Sequence, residues 1–225
     1  MLFDFGGPNS FQGVPKQAAN QPKYKAEYAA KVKAIADLMY GGTTALDPMV
    51  QCKPLGIPRG GFGTMQIVQT PKVVALVFEE PMNDRVIYTD GRQHPKDLDT
   101  SYMGDSIGHW EGDTLVVDVA GLNDDTWYAG GTGGNAKYST IHSDQEHVTE
   151  RWTRKGNTIT YQVTVVDPVM LAEPWVLAPK HVQLGAPDDY LLQFNCVATD
   201  VTHVIPPTAT DNYKCTYTGT RPECQ

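Results

Sequence analysis

The chain has 225 residues, 40% of them apolar and 20% charged, with a formal net charge of -8. That is enough apolar matter for one sizeable core and too much for a disordered chain. The acidic balance lacks the clustered Lys and Arg that grip phosphate backbones, so no nucleic-acid partner is expected, and no run approaches the roughly 18 apolar residues of a membrane helix.

Residues 1–21 are rich in Gly, Pro, Asn and Gln without periodicity and read as an arm. A helix follows: Pro22 suits a first turn, Tyr24, Tyr28, Val32, Ile35 and Met39 recur at helical spacing, and Gly41-Gly42 supplies a stop. Residues 43–63 include DPMVQCKPLGIPRGGFG, whose prolines and glycines forbid a long helix or central strand, so the segment needs a staple, and Cys52 can provide one. Arg59 there could anchor an anion, although an exposed or carbonyl-bonded role is the ordinary one.

From residue 65 onward the pattern is short and β-rich, with nine expected strands at 65–70, 72–79, 85–89, 106–110, 114–119, 147–154, 158–166, 175–184 and 190–197. So many strands joined by short turns predict a mainly β fold: an antiparallel, lipocalin-like β-barrel or closed sandwich with one N-terminal helix. The expected organisation is an arm, helix and stapled loop over 1–63, a barrel over 64–200, and a tail over 201–225.

Two hairpins carry most of the information. In SYMGDSIGHWEGDTLVVD, residues 101–118, a turn at Glu111-Gly112 pairs 110 with 113 and 108 with 115. Period-2 alternation then puts Trp110, Leu115, Val117 and Val119 on one face and Asp105, Ile107, His109, Thr114, Val116 and Asp118 on the other. The second face mixes carboxylates, imidazole and aliphatics, as the lumen of a ligand-holding barrel would, or as a solvent face with two stray apolar residues would. In the later hairpin, Ile159, Tyr161, Val163 and Val165 face Val148, Glu150 and Trp152, which leaves Glu150 as the one carboxylate on an apolar face. It is either a general acid or base, or the partner of Arg85, Arg92 or Arg151. Between the hairpins, the glycine-rich 121–144 segment reads as a lid or binding loop. It is no phosphate loop, because no GxxxxGK[ST] accompanies it.

The acid-base groups define the expected site. His109, oriented by Asp105 or Asp118, is the candidate base, Glu150 the acid, and His142 with Asp144 a closing pair. Tyr88, Arg92, Tyr102, Asp118 and Trp127 are candidate binding residues. HSD, residues 142–144, can equally be a local cap. No cofactor is expected; two or three of the histidines could bind a metal with Asp105 or Asp144, but no His pair at i, i+2 or i, i+4 fixes ligands locally, so no metal is expected. The expected activity is that of a cofactor-independent isomerase or lyase acting on a small, partly apolar molecule. The alternative is a binding or carrier protein without turnover. Sequence leaves the oligomeric state open.

The chain begins MLFDFGGPNSF, without a basic and apolar leader, which leaves a cytosolic protein or a mature exported one. Cys52, Cys196, Cys215 and Cys224 allow three pairings. The economical set joins 52 to 196 and 215 to 224, and disulfides favour a periplasmic or secreted protein. DPMVQCKPLGIPR, QIVQTPKVVALVFE, IYTDGRQHPKD, SYMGDSIGHWEGDTLVVD, HSDQEHVTERWTR and VTVVDP, in that order, resemble a large family of exported bacterial proteins. The resemblance spans roughly residues 24–200. It implies export and a Cys52–Cys196 link, and it carries over no activity.

Overall fold

The computed structural model describes residues 2–4, 21–40, 47–61, 64–79, 82–129, 140–192, 196, 215–217 and 222–224. In chain order the elements are β1 (Leu2–Asp4), α1 (Ala26–Tyr40), two 3-10 turns (Pro48–Gln51 and Arg59–Gly61), β2 (Met65–Gln69), β3 (Val73–Phe78), β4 (Arg85–Tyr88), β5 (Asp105–Glu111) and β6 (Thr114–Ala120). They continue with β7 (Trp127–Ala129), β8 (Thr140–Ile141), β9 (His147–Lys155), β10 (Thr158–Val166), β11 (Trp175–Val176), β12 (Lys180–Leu184), β13 (Cys215–Tyr217) and β14 (Pro222–Cys224).

The chain is mainly β with one helix, and its principal sheet curls into a half-barrel. The strands run β12-β1-β2-β3-β4-β5-β6-β9, and β10 pairs with both β9 and β12. Seven of the nine expected strands appear within a residue or two. The 175–184 stretch splits into β11 and β12, and residues 190–192 and 196 are not in a strand. One expectation changes in kind: β4 and β5 are parallel, with Ile87 opposite Ser106. The connection between them, residues 89–104, is long enough for the crossover that a parallel pair needs. The arm also contributes a strand, because β1 pairs antiparallel with β2 and β12 through two residues each.

The β5–β6 turn lies one residue later than expected. Glu111 pairs with Thr114 around Gly112-Asp113, and Gly112 has φ +58°, which only glycine adopts without strain. The pairing moves by two positions, so the faces keep their membership. Leu115, Val117, Val119 and Ser106 line the concave core, while His109 and Asp118 lie on the convex side.

The core fills one end of the curl with Ile57, Leu122, Val119, Val148, Tyr128 and Trp175. Helix α1 begins at Ala26, later than Pro22, and is held near this end. Ile35 packs on Trp127, and just ahead of the helix Tyr24 bridges Leu171 and donates to the Ile141 carbonyl at 2.7 Å. The Gly41-Gly42 stop, the middle of the lid loop (130–139) and residues 5–20 lie outside the described residues.

The stapled loop forms as expected, through a Cys52–Cys196 disulfide. In the tail, β13 and β14 place the backbones of Cys215 and Cys224 opposite one another. Their side chains lie outside the described set. Arg59 is neither exposed nor an anion anchor. It is buried in a bidentate pair with Asp47, at 2.6 and 2.8 Å, and Asp47 also caps the first 3-10 turn at Met49 N.

Candidate functional site

A cavity of about 320 Å³ lies in the concave face, at the end where the β2–β3, β5–β6 and β9–β10 turns gather. Its walls are Ile67, Val74, Leu76, Ile87, Leu115, Trp152 and Ile159, and its polar rim is Gln69, Asp113 and Arg154 beside a half-exposed Trp110. Alternation explains most of the lining: the wall residues are inward members of their strands, alternating with less buried neighbours on β2, β3, β4, β9 and β10. Gly108 belongs to the same face. A Cβ there would lie 3.0 Å from Ile87 Cγ2 and 3.3 Å from Leu115 Cδ1, so glycine leaves room where any side chain would press on two wall residues.

Two residues deeper along β4 and β9 lies a buried ion pair. Arg85 Nη2 donates to Glu150 Oε2 at 2.6 Å, and the Tyr161 hydroxyl donates to Glu150 Oε1. Glu150 was a candidate acid. It is instead fully used by two partners, and Arg85 is one of the three arginines expected to hold it. Gly61 closes over the pair. A Cβ there would stand 2.6 Å from the Tyr161 oxygen, too close for any side chain. Arg85 Nε and Nη1, Ser106 Oγ and Trp152 Nε1 find no hydrogen-bond partner among the described residues.

His142 and Asp144 do not pair with one another among the described residues: His142 is buried, whereas Asp144 is exposed and accepts from Gln145 Nε2. The His142 ring stacks on Tyr128, with Nε2 2.7 Å from Thr126 Oγ1. Its Nδ1 donates to the Ser143 carbonyl at 3.0 Å and sits 2.8 Å from Glu146 Oε2, a charge contact rather than an aligned hydrogen bond. Asp167 knits the same loop, accepting from Ser143 N, Ser143 Oγ and Tyr128 OH. Burial works against its ionisation, yet the Ser143 and Met170 amides hold it below the usual carboxylate range. Ser143 Oγ also accepts from Gln145 N, so the local-cap reading of HSD fits. Sequence reasoning missed Glu146 and Asp167: both lie inside the motifs HSDQEHVTERWTR and VTVVDP, but nothing in the spacing shows that they meet His142 and Ser143.

Burial pushes the Glu146 carboxyl up to about 7, with His142 opposing. Burial lowers the His142 value, but the neighbouring Glu146 outweighs it and the net shift is upward. Both groups therefore hold protons more tightly folded than unfolded. The Glu146 contribution is complete below its unfolded value of 4.5 and disappears as pH rises through about 7, and the raised His142 value works in the same direction. We expect the unfolding free energy to fall between about pH 5 and pH 7, by at most roughly 1 kcal/mol per pH unit for each proton released, and Glu146→Gln to flatten that slope. An unchanged slope in the Gln variant would refute the assignment.

Of the remaining site residues, His109, Asp105 and Asp118 lie on the convex face. His109 is exposed, 67% by side chain, and contacts Glu111 at 3.3 Å, which in turn binds Arg151 at 2.7 Å. Neither Asp105 nor Asp118 orients it, so the base expected in a lumen is a surface residue. The mixed face proved to be the outside of the curl.

Asp105 and Asp118 serve another histidine. His94 Nδ1 lies 2.6 Å from Asp105 Oδ1, His94 Nε2 lies 3.5 Å from Asp118 Oδ2, and His147 Nε2 lies 3.0 Å from Asp118 Oδ1. Arg92 covers the Tyr88 ring at 3.6 Å and forks onto Asp90, whose carboxyl it draws down to about 2. The Tyr102 hydroxyl reaches Asp125 at 3.5 Å, and Trp127 is buried against α1 rather than exposed to a ligand. None of these four aromatic and cationic candidates lines the cavity.

Comparison of the chain with family models, curated proteins and solved structures finds no match.

Proposed function

We propose that the protein binds a small, largely apolar molecule in the concave cavity, as an exported binding or carrier protein. The observation that carries this reading is the apolar-walled space of about 320 Å³ with a polar rim. That volume is at the small end of the roughly 300–1,000 Å³ typical of ligand pockets. Trp152 lines the cavity, and its Nε1 has no acceptor among the described residues, which favours a ligand with one acceptor atom. The short pairings of β1 with β2 and β12 support closure of the curl into a barrel around that ligand.

An isomerase or lyase would need an acid-base pair at the ligand, and among the lining residues only Asp113 and Arg154 ionise, both at the exposed rim. Binding without turnover is therefore the better-supported reading. Export is supported by the Cys52–Cys196 disulfide and by the resemblance that the sequence motifs bear to exported bacterial proteins.

The test uses the indoles as reporters. Titration with a panel of small aromatic and aliphatic alcohols and carboxylates, followed by Trp fluorescence, should give saturable one-to-one binding for at least one class. Filling the cavity with Ile67→Trp should weaken that binding more than about tenfold while the fold, read by circular dichroism, is kept. No saturable ligand, or affinity indifferent to Ile67→Trp, would remove the reading.

A further inference from the structure

We infer that His94, Asp118 and His147 form a binding site for a divalent transition metal on the convex face, with Asp105 as the positioning residue for His94. The site is separate from the cavity and independent of the reading given to it.

Strand pairing builds the cluster. Asp118 lies opposite Thr149 on β9, so His147, two residues earlier, shares its outward face. Asp105 lies opposite Ala120 on β5, two residues from Asp118 and also outward. The 89–104 crossover brings His94 over this patch. One donor atom each from His94, Asp118 and His147 then lies within 4.8 Å of the others.

The protonation logic of His94 points to a cation. A carboxylate oxygen 2.6 Å from Nδ1 can only accept, so Nδ1 carries a hydrogen. In the neutral ring Nε2 is then a lone pair. It is buried, has no hydrogen-bond partner, and faces Asp118 Oδ2 at 3.5 Å. A lone pair there repels the Asp118 oxygen unless a positive centre, a proton on Nε2 or a metal ion, lies between them. Two donors bound to one zinc at about 2.0–2.2 Å stand roughly 3.3 Å apart in a tetrahedron, and the two imidazole nitrogens stand 3.5 and 3.0 Å from the two oxygens of the Asp118 carboxylate.

The donor set fixes the class. Two imidazoles and one carboxylate suit zinc, iron(II) or cobalt(II) over calcium or magnesium, which favour all-oxygen sites. The Asp105–His94 contact is the carboxylate–imidazole pairing that orients metal-bound histidines and raises their basicity. Three protein ligands leave at least one coordination position for water. Asp118 and His147 are 41% and 45% exposed by side chain, so that position faces solvent. No short-range spacing announces the site, since its ligands are 24 and 29 residues apart in sequence.

The experiment is a zinc titration of the chelator-treated full chain by calorimetry, repeated with cobalt(II) read by visible absorption. One ion per chain is expected. His94→Ala, His147→Ala and Asp118→Asn should each weaken binding more than about 100-fold, and Asp105→Asn by about 10- to 100-fold with a changed cobalt spectrum. His181→Ala, on β12 and outside the cluster, should leave both unchanged, and circular dichroism should report the same fold throughout. If the cluster is only an ion-pair network, zinc will not bind stoichiometrically or the four variants will bind like the parent chain. Either result overturns the site.

Discussion

Replacing Glu150 by alanine is expected to lower stability by about 3–5 kcal/mol, because it leaves the Arg85 guanidinium buried without its counter-charge. The side chains of both partners are nearly inaccessible, at 0% and 3%, so solvent cannot take over. Tyr161 loses its acceptor in the same step and is pinned above by Gly61, with no room to turn toward water. A loss of this size is a large share of the roughly 5–15 kcal/mol that holds a domain folded. It should appear as a lower urea midpoint with an unchanged slope. The double variant Arg85→Met with Glu150→Leu is the informative control, since removing both charges should recover most of the loss. A double variant no better than Glu150→Ala would show that the pair is not the cause.

Loss of the Cys52–Cys196 link is expected to have an effect at least as large. The disulfide joins positions 144 residues apart and ties the segment after the first 3-10 turn to the region beyond β12. The chain-entropy estimate for a loop of that length is about 5 kcal/mol, drawn from the unfolded ensemble rather than from any native contact. Cys196 is exposed, so a mild reductant should reach the bond. Thermal unfolding with and without dithiothreitol, and of Cys52→Ser, should show the same large drop in midpoint. Equal midpoints for oxidised and reduced protein would exclude a structural role for the link.

The sequence made the strands and their faces legible because alternation is a local property. Ile159, Tyr161, Val163 and Val165 do face Val148, Glu150 and Trp152, and Glu150 does take Arg85. The β5–β6 faces survived a misplaced turn, since a shift of two positions returns every side chain to the same side. Which of those faces pointed inward was not legible. His109 beside Asp105 and Asp118 looked like a lumen, but the choice depends on what packs over the sheet, and the covering piece is the crossover bearing His94. The parallel β4–β5 pair was hidden for a related reason: strand patterns do not encode the direction of a neighbour. Nor could spacing join His94 to His147, which only tertiary structure brings together.

β6 has Val117 and Leu115 turned to the core and cavity wall, and Thr114 and Asp118 turned to partners on the convex face. Most strands at a protein surface offer evolution a free side on which substitutions drift without penalty. This one offers none, so its sequence can change only where both surfaces consent. A deletion of one residue there would turn both surfaces inside out at once, emptying the wall of its aliphatics and drawing a carboxylate inward.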